Sequence, residues 1–274
     1  MTRLPDAQRL HVGGIRITAL SDGPLPLGHD NLRGIDADDY AGILRDRHAD
    51  PGTWRSGLNA WVIETGGRTV LVDAGVAGKM GEETGRVMSN LRAAGFTPEG
   101  IDTVFVTHMH ADHVAGLLSD GAAAFPEAAL RVHAADRAHF DGSDDLATAV
   151  LAAYGDRVES FDGETDIAPG LRALPLPGHT PGHSGLEIAD GDAQLLIWTD
   201  IVHIAPVQLA RPDVGTGFDV DIDQARETRT RLLDRVANEG TLIAGSHIGF
   251  PGLGWIDRAE EGYRFAPARY THDD

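Results

Sequence analysis

The chain has 274 residues, is 42% hydrophobic, carries a net charge of −19 and contains no cysteine. That length and apolar content suit one sizeable α/β core, and the acidity argues against nucleic acid or an anionic membrane as partner. Disulfides, thiolate nucleophiles and thiolate metal ligands are excluded outright.

Met1–Leu10 is polar and lacks the apolar centre of a signal peptide. No run of about 18 apolar residues occurs to cross a bilayer. A cytoplasmic location is therefore expected. No Ser/Pro-rich linker divides the chain, so residues 1–274 are expected to form a single domain.

Taken in order, Gly14–Leu20 alternates like a first strand. Residues 21–57 are rich in Gly, Pro and Asp and predict a long loop, with one short helix near Asp36–Arg47. Asn59–Glu64 and Thr69–Asp73 predict a hairpin about the turn Thr65-Gly66-Gly67-Arg68. Glu82–Ala94 has helical spacing and ends at Gly95. The β-branched run Ile101–Thr107 predicts a buried strand.

A short helix is expected over Val114–Leu118, then a strand over Leu130–His133. Helices over Ala134–Phe140 and Asp144–Tyr154 follow. Strands are expected at Val158–Phe161, Thr165–Ile167, Leu171–Leu176, Gly185–Ile188, Gln194–Trp198 and Thr241–Ala244. Asp223–Asn238 is a charged amphipathic helix, and Trp255–Phe265 adds edge strands. Strands then helix, twice over, predict two packed sheets with helices outside, an α/β four-layer αββα sandwich.

The chemistry gathers after the Ile101–Thr107 strand, where His108, His110, Asp112 and His113 fall within six positions. Ligands of α/β proteins bind at that end of a strand. Imidazole and carboxylate are suitable donors for Zn²⁺, Mn²⁺, Fe²⁺ or Co²⁺. Histidines at i and i+2 cannot share a helical face, so the segment must act as a loop or turn. One short loop rarely completes a site, and three distant candidates each follow a predicted strand: His179, Asp200 and His247. Together they supply ligands for two metal ions, with Asp200 placed to bridge them. On pattern alone, His179 and His183 are balanced between ligand and supporting roles.

The run THMHADH, then GHTPGHS, then TD and the late His resembles the metallo-β-lactamase fold hydrolases, from Ile15 to Tyr270. The flanking NAWVIET, TVLVDAG, WTDIVHIAPVQ and SHIGFPGLGW resemble the branch containing methyl parathion hydrolase, with N-acyl homoserine lactonases as neighbours. The resemblance implies a dinuclear centre of two divalent ions, zinc first among them. His108, His110 and His179 would hold one ion, Asp112, His113 and His247 the other, and Asp200 would bridge both.

The implied reaction is hydrolysis of an ester-type bond (lactone, carboxylic ester or phosphotriester) in a small molecule. Attack is expected from a metal-bridging hydroxide, with Asp112 as a proton shuttle. A glyoxalase-type thioesterase and a di-iron redox enzyme are the alternatives. Asp73 and His183 are expected to support ligands from behind, and Phe140, His203 and Phe218 to line the substrate pocket. His133 and His139 are expected to be structural. The bridging Asp of the family usually follows Gly; here it follows Thr199, with little expected effect. Loop 21–57 is expected either to overhang the pocket or to build a homodimer interface.

Overall fold

A computed structural model describes residues 6–268. The two ends of the chain, including Arg269 and Tyr270 of the family-like PARY stretch, lie outside the described residues.

Two seven-stranded sheets form in sequence order. The first runs β1 (Ala7–Val12), β2 (Ile15–Ser21), β3 (Asn59–Thr65), β4 (Arg68–Val72), β5 (Thr103–Phe105), β6 (Ala129–His133) and β7 (Val158–Phe161). Its first four strands pair antiparallel and the rest pair parallel. The second runs β8 (Thr165–Ala168), β9 (Leu171–Pro175), β10 (Ser184–Asp190), β11 (Ala193–Ile197), β12 (Leu242–Ala244), β13 (Leu253–Arg258) and β14 (Tyr263–Pro267). Only β11 and β12 pair parallel there.

The faces that meet are apolar at every second position. Ile17, Trp61, Ile63, Val70, Val72 and Phe105 of the first sheet join Leu186, Ile188, Leu195, Ile197, Ala244 and Leu253 of the second in one buried cluster. Period-two alternation turns the neighbouring residues outward to helices. Val62, Leu71, Val104 and Leu130 pack under α2 (Val87–Ala93) and α5 (Asp145–Tyr154). Leu196 and Ile243 pack under α6 (Ala205–Ala210) and α7 (Ile222–Glu239). The result is the expected αββα layering.

Most predicted elements appear, including α1 (Ala37–Asp46) in the long N-terminal loop and α4 (Ala134–Phe140). Four details differ. The first strand is the second half of a hairpin, because polar β1 precedes it. The helix expected over Glu82–Ala94 begins only at Val87: Gly85 takes a φ of +83° with its Cα against the Gly78 backbone, and the Asp22 carboxylate accepts the Val87 N–H. Ala111, Asp112 and His113 belong to a single helical turn, α3 (Ala111–Val114), so only His108 and His110 lie in extended chain. Helix α6 was not expected; at six residues with an early proline it is too short to show periodicity. Among the described residues no helix is long and apolar enough to cross a membrane.

Candidate metal centre

The parallel pairs set the site. Asp73 directly follows β4, His108, Asp200 and His247 each lie three residues past the ends of β5, β11 and β12, and the turn after β9 carries His179. All seven predicted ligands converge at this common edge of the two sheets. His108, His110 and His179 form one group whose ligand atoms lie within 4.8 Å of one another, and Asp112, His113, Asp200 and His247 form a second.

Asp200 lies between the groups. Its Oδ1 is 3.3 Å from His113 Nε2, and its Oδ2 is 2.9 Å from His247 Nε2, 3.5 Å from His179 Nε2 and 3.8 Å from His108 Nε2. His179, Asp200 and His203 make a third, overlapping group.

Divalent cations fit this donor set. His108 Nε2, His113 Nε2 and Asp200 Oδ1 are buried and have no hydrogen-bond partner in the protein, an arrangement that is costly unless something electron-poor lies between them. Three of the imidazoles are also oriented from behind. His113 Nδ1 donates to Asp73 Oδ2 at 2.7 Å, His179 Nδ1 to Asp219 Oδ1 at 2.9 Å and His247 Nδ1 to the Gly57 carbonyl at 3.1 Å. Such bonds fix the tautomer and leave Nε2 free to face a metal. Asp73 does more than cap its strand, because it also accepts from the Thr107 amide and hydroxyl.

Electrostatics divide the groups. Burial, reinforced by neighbouring imidazoles, holds His108 uncharged and takes His110 down to about 3. Burial also opposes charge on His113 and His247, but the carboxylates around them, Asp200 first, raise both above the ordinary histidine value. The same contacts overcome burial at Asp112 and Asp200 and keep both ionised. Protons thus occupy the carboxylate-rich half of the site, where a cation would replace them.

A model described as the metallo-β-lactamase superfamily matches residues 54–247. The chain belongs to the metallo-β-lactamase superfamily. It is a metal-dependent hydrolase of that superfamily. An N-acyl homoserine lactonase from Bacillus sp. is 26% identical over 177 residues, which span 64% of this chain and 67% of that one. A Bacillus cereus N-acyl homoserine lactonase is 25% identical and is matched over 64% of its length. Among solved structures, the hydrolase AbOPH is 29% identical with a TM-score of 0.92, covering 98% of this chain and all of the other. The dizinc lactonase AidC is similar in fold, with a TM-score of 0.89 at 23% identity, covering 98% and 99%.

In this metallo-β-lactamase fold the predicted pocket residues meet above the ligands. A cavity of about 330 Å³ opens over His110, Asp112, His179, Asp200 and His247, walled by Leu25, Leu27, Met80, Met109, Phe140 and Phe218. Leu25 and Leu27 come from loop 21–57, which overhangs the pocket. Phe140 packs edge-on at 5.5 Å from His110, and Phe218 is 40% exposed at the mouth. His203 lines the cavity, and its Nε2 is 3.2 Å from Asp200 Oδ2. Burial lowers its pKa to about 4.

His183 points away from the ligand atoms. Its Nδ1 donates to the Leu176 carbonyl at 3.0 Å, and its Nε2 accepts from the Thr199 hydroxyl at 2.8 Å. Burial keeps the ring uncharged, lowering its pKa to about 3. His133 caps α4 through Nδ1, as a structural residue would.

Sequence reasoning missed the residues that join the loops. Asp136 is fully buried and accepts from the Met109 amide at 3.0 Å, the Thr180 hydroxyl at 3.0 Å and the Gly182 amide at 2.6 Å. It ties the HMHADH loop to the GHTPGH loop. Asn59 donates to the carbonyls of Gly245, Ser246 and Ile248, holding the His247 turn. Asp219, behind His179, was missed too. The GHTPGH glycines are packing glycines: a Cβ on Gly178 would lie 2.2 Å from the Ala225 amide, and one on Gly182 2.7 Å from the Asp136 amide.

Proposed function

We propose that the protein hydrolyses a neutral ester-type bond, in a lactone, carboxylic ester or phosphotriester, at a centre of two divalent ions, zinc first among them. One observation carries this: two groups of mostly buried ligand atoms lie side by side at the floor of a mostly apolar cavity, with Asp200 of the second group 3.5 Å from His179 of the first. When bound, the ions would acidify water and polarise the C=O or P=O oxygen. His108, His110 and His179 would hold one ion, Asp112, His113 and His247 the other, with Asp200 shared. The dizinc state of AidC and the lactonase relatives support the reading.

The chain's own groups supply the rest. Leu25, Leu27, Phe140 and Phe218 take the apolar part of the substrate and shed water around the scissile bond. Asp112, the carboxylate at the cavity floor with 14% of its side chain exposed, can accept a proton and hand it to the leaving oxygen. No Lys or Arg lines the cavity among the described residues, while Asp112, Asp144 and Asp200 do. Away from the ions an anionic glutathione thioester finds no cationic side chain there, which disfavours the thioesterase alternative. The predominance of imidazole over carboxylate disfavours the di-iron one.

The test is a panel of p-nitrophenyl ester, homoserine lactone, paraoxon-type and glutathione thioester substrates on zinc-replete protein, with elemental analysis alongside. Turnover of one of the first three, and two ions per chain, is expected. His110→Ala should lose metal and turnover together; a fully active, metal-free His110→Ala protein would overturn the reading.

A further inference from the structure

Thr199 is the one place where the chain departs from the family-like pattern at a ligand, and the backbone there is unusual. Thr199 takes a φ of +44° and is fully buried. A β-branched side chain is disfavoured in that left-handed region, which glycine enters freely. Threonine therefore brings something glycine lacks. Its hydroxyl donates to His183 Nε2 at 2.8 Å, and His183 Nδ1 donates to the Leu176 carbonyl at 3.0 Å. Leu176 in turn donates its amide to the His183 carbonyl at 2.8 Å. The 176–183 loop, which carries His179, is thus closed on itself and fastened through one ring to the residue before Asp200.

The fastening matters because Asp200 must reach two groups at once. Its oxygens approach His113, His247, His179 and His108 from a single side-chain direction, and that direction depends on the backbone at Thr199. With glycine at 199, His183 Nε2 would be buried without a partner and the stem of Asp200 would be free to turn.

We propose that Thr199 and His183 form a positioning latch that fixes the shared Asp200 carboxylate relative to the His179 loop. It rests on the reading of Asp200 as a shared metal ligand. Neither side chain acts on substrate; the latch works through Asp200 and His179.

The test uses full-length Thr199→Ala, Thr199→Ser and Thr199→Gly proteins, titrated with Zn²⁺ against a chromophoric chelator and melted after metal removal. Thr199→Ala should lose about 10-fold or more in zinc affinity, in the range seen for groups that orient ligands, with kcat falling more than KM rises. Thr199→Ser should restore most of the affinity. Thr199→Gly should bind zinc as weakly as Thr199→Ala yet melt no lower when metal-free, because the strain is gone. It also carries the test if the alanine variant does not fold. A purely structural threonine would lower the metal-free melting temperature and leave zinc affinity unmoved, and that result overturns the latch. Wild-type affinity in both Thr199→Ala and Thr199→Gly overturns it too. If the wild-type protein binds no zinc, the metal reading and the latch fall together.

Discussion

The imidazoles of the centre are backed by acceptors of unequal strength. His113 and His179 lean on carboxylates, Asp73 and Asp219, and His247 on a carbonyl. A carboxylate acceptor makes the opposite ring nitrogen a better donor to a cation. Asp219 is itself held: it accepts from the Thr216 amide at 2.8 Å, and the Arg229 guanidinium lies 3.9 Å away. Arg229 is fully buried and donates to the carbonyls of Ile201, Pro212 and Val214. Burial lowers its pKa to about 10, so it remains cationic at neutral pH. Asp219→Ala should therefore do two things. Zinc affinity should fall by about 10- to 100-fold, the usual cost of losing such a partner. Stability of the metal-free protein should fall by about 1–3 kcal/mol as buried donors lose their acceptor. Chelator competition and denaturant melts check the two separately, and unchanged zinc affinity would show that Asp219 does not orient His179.

At the scale of elements, what holds the loops together is a set of isolated polar residues, and this explains what the sequence could and could not reveal. The candidate ligands His108, His110, Asp112 and His113 were legible because they cluster in one run that no core pattern explains, and His179, Asp200 and His247 because each follows a predicted strand. The strands were legible from alternation, and the four-layer arrangement from strand and helix order. Asp136 was not legible: it is a single acid in the short helix segment AADRAHF, and nothing local distinguishes it from a solvent-facing one. Only the fold brings Met109 and Gly182 to it. Asn59 was hidden likewise at the start of a strand. Strand β1 was missed because AQRLHV is polar and lies at the sheet edge. The expectation of little effect at Thr199 assumed any backbone could deliver the carboxylate; the left-handed φ makes that position demanding. Asp136 gives the prediction at this scale. Asp136→Ala leaves two amides and a hydroxyl buried without an acceptor and should cost about 3 kcal/mol or more. Asp136→Asn keeps one acceptor oxygen and should cost less. Both should weaken zinc binding, because Asp136 ties the loop of His108 and His110 to that of His179. A stable Asp136→Ala protein with normal metal content would show that the two loops are positioned without it.

For the whole molecule, the proposed metal centre would be coupled to folding through protons. In the metal-free protein His113 and His247 have raised pKa values, caused against burial by Asp200 and the carboxylates beside it. A raised histidine pKa contributes stability that is fully present below the unfolded value of 6.5 and is lost as pH rises through the folded value. The metal-free protein should therefore lose stability as pH rises above 6.5 toward the raised values of His113 and His247. Zinc bound there would take the neutral rings and displace those protons, so its affinity should rise over the same interval. Bound at about 1,000 times its Kd, one ion adds about 4 kcal/mol to the folded state. The net charge of −19 works in the same direction by concentrating cations near the surface, an effect that salt weakens. The gap in melting temperature between zinc-loaded and chelator-treated protein should thus widen with pH and narrow with added salt. Paired melts at several pH values, with proton release measured by calorimetry in buffers of different ionisation enthalpy, would follow both effects. A gap that stayed constant with pH, without proton release on zinc binding, would mean that His113 and His247 are already neutral in the metal-free protein.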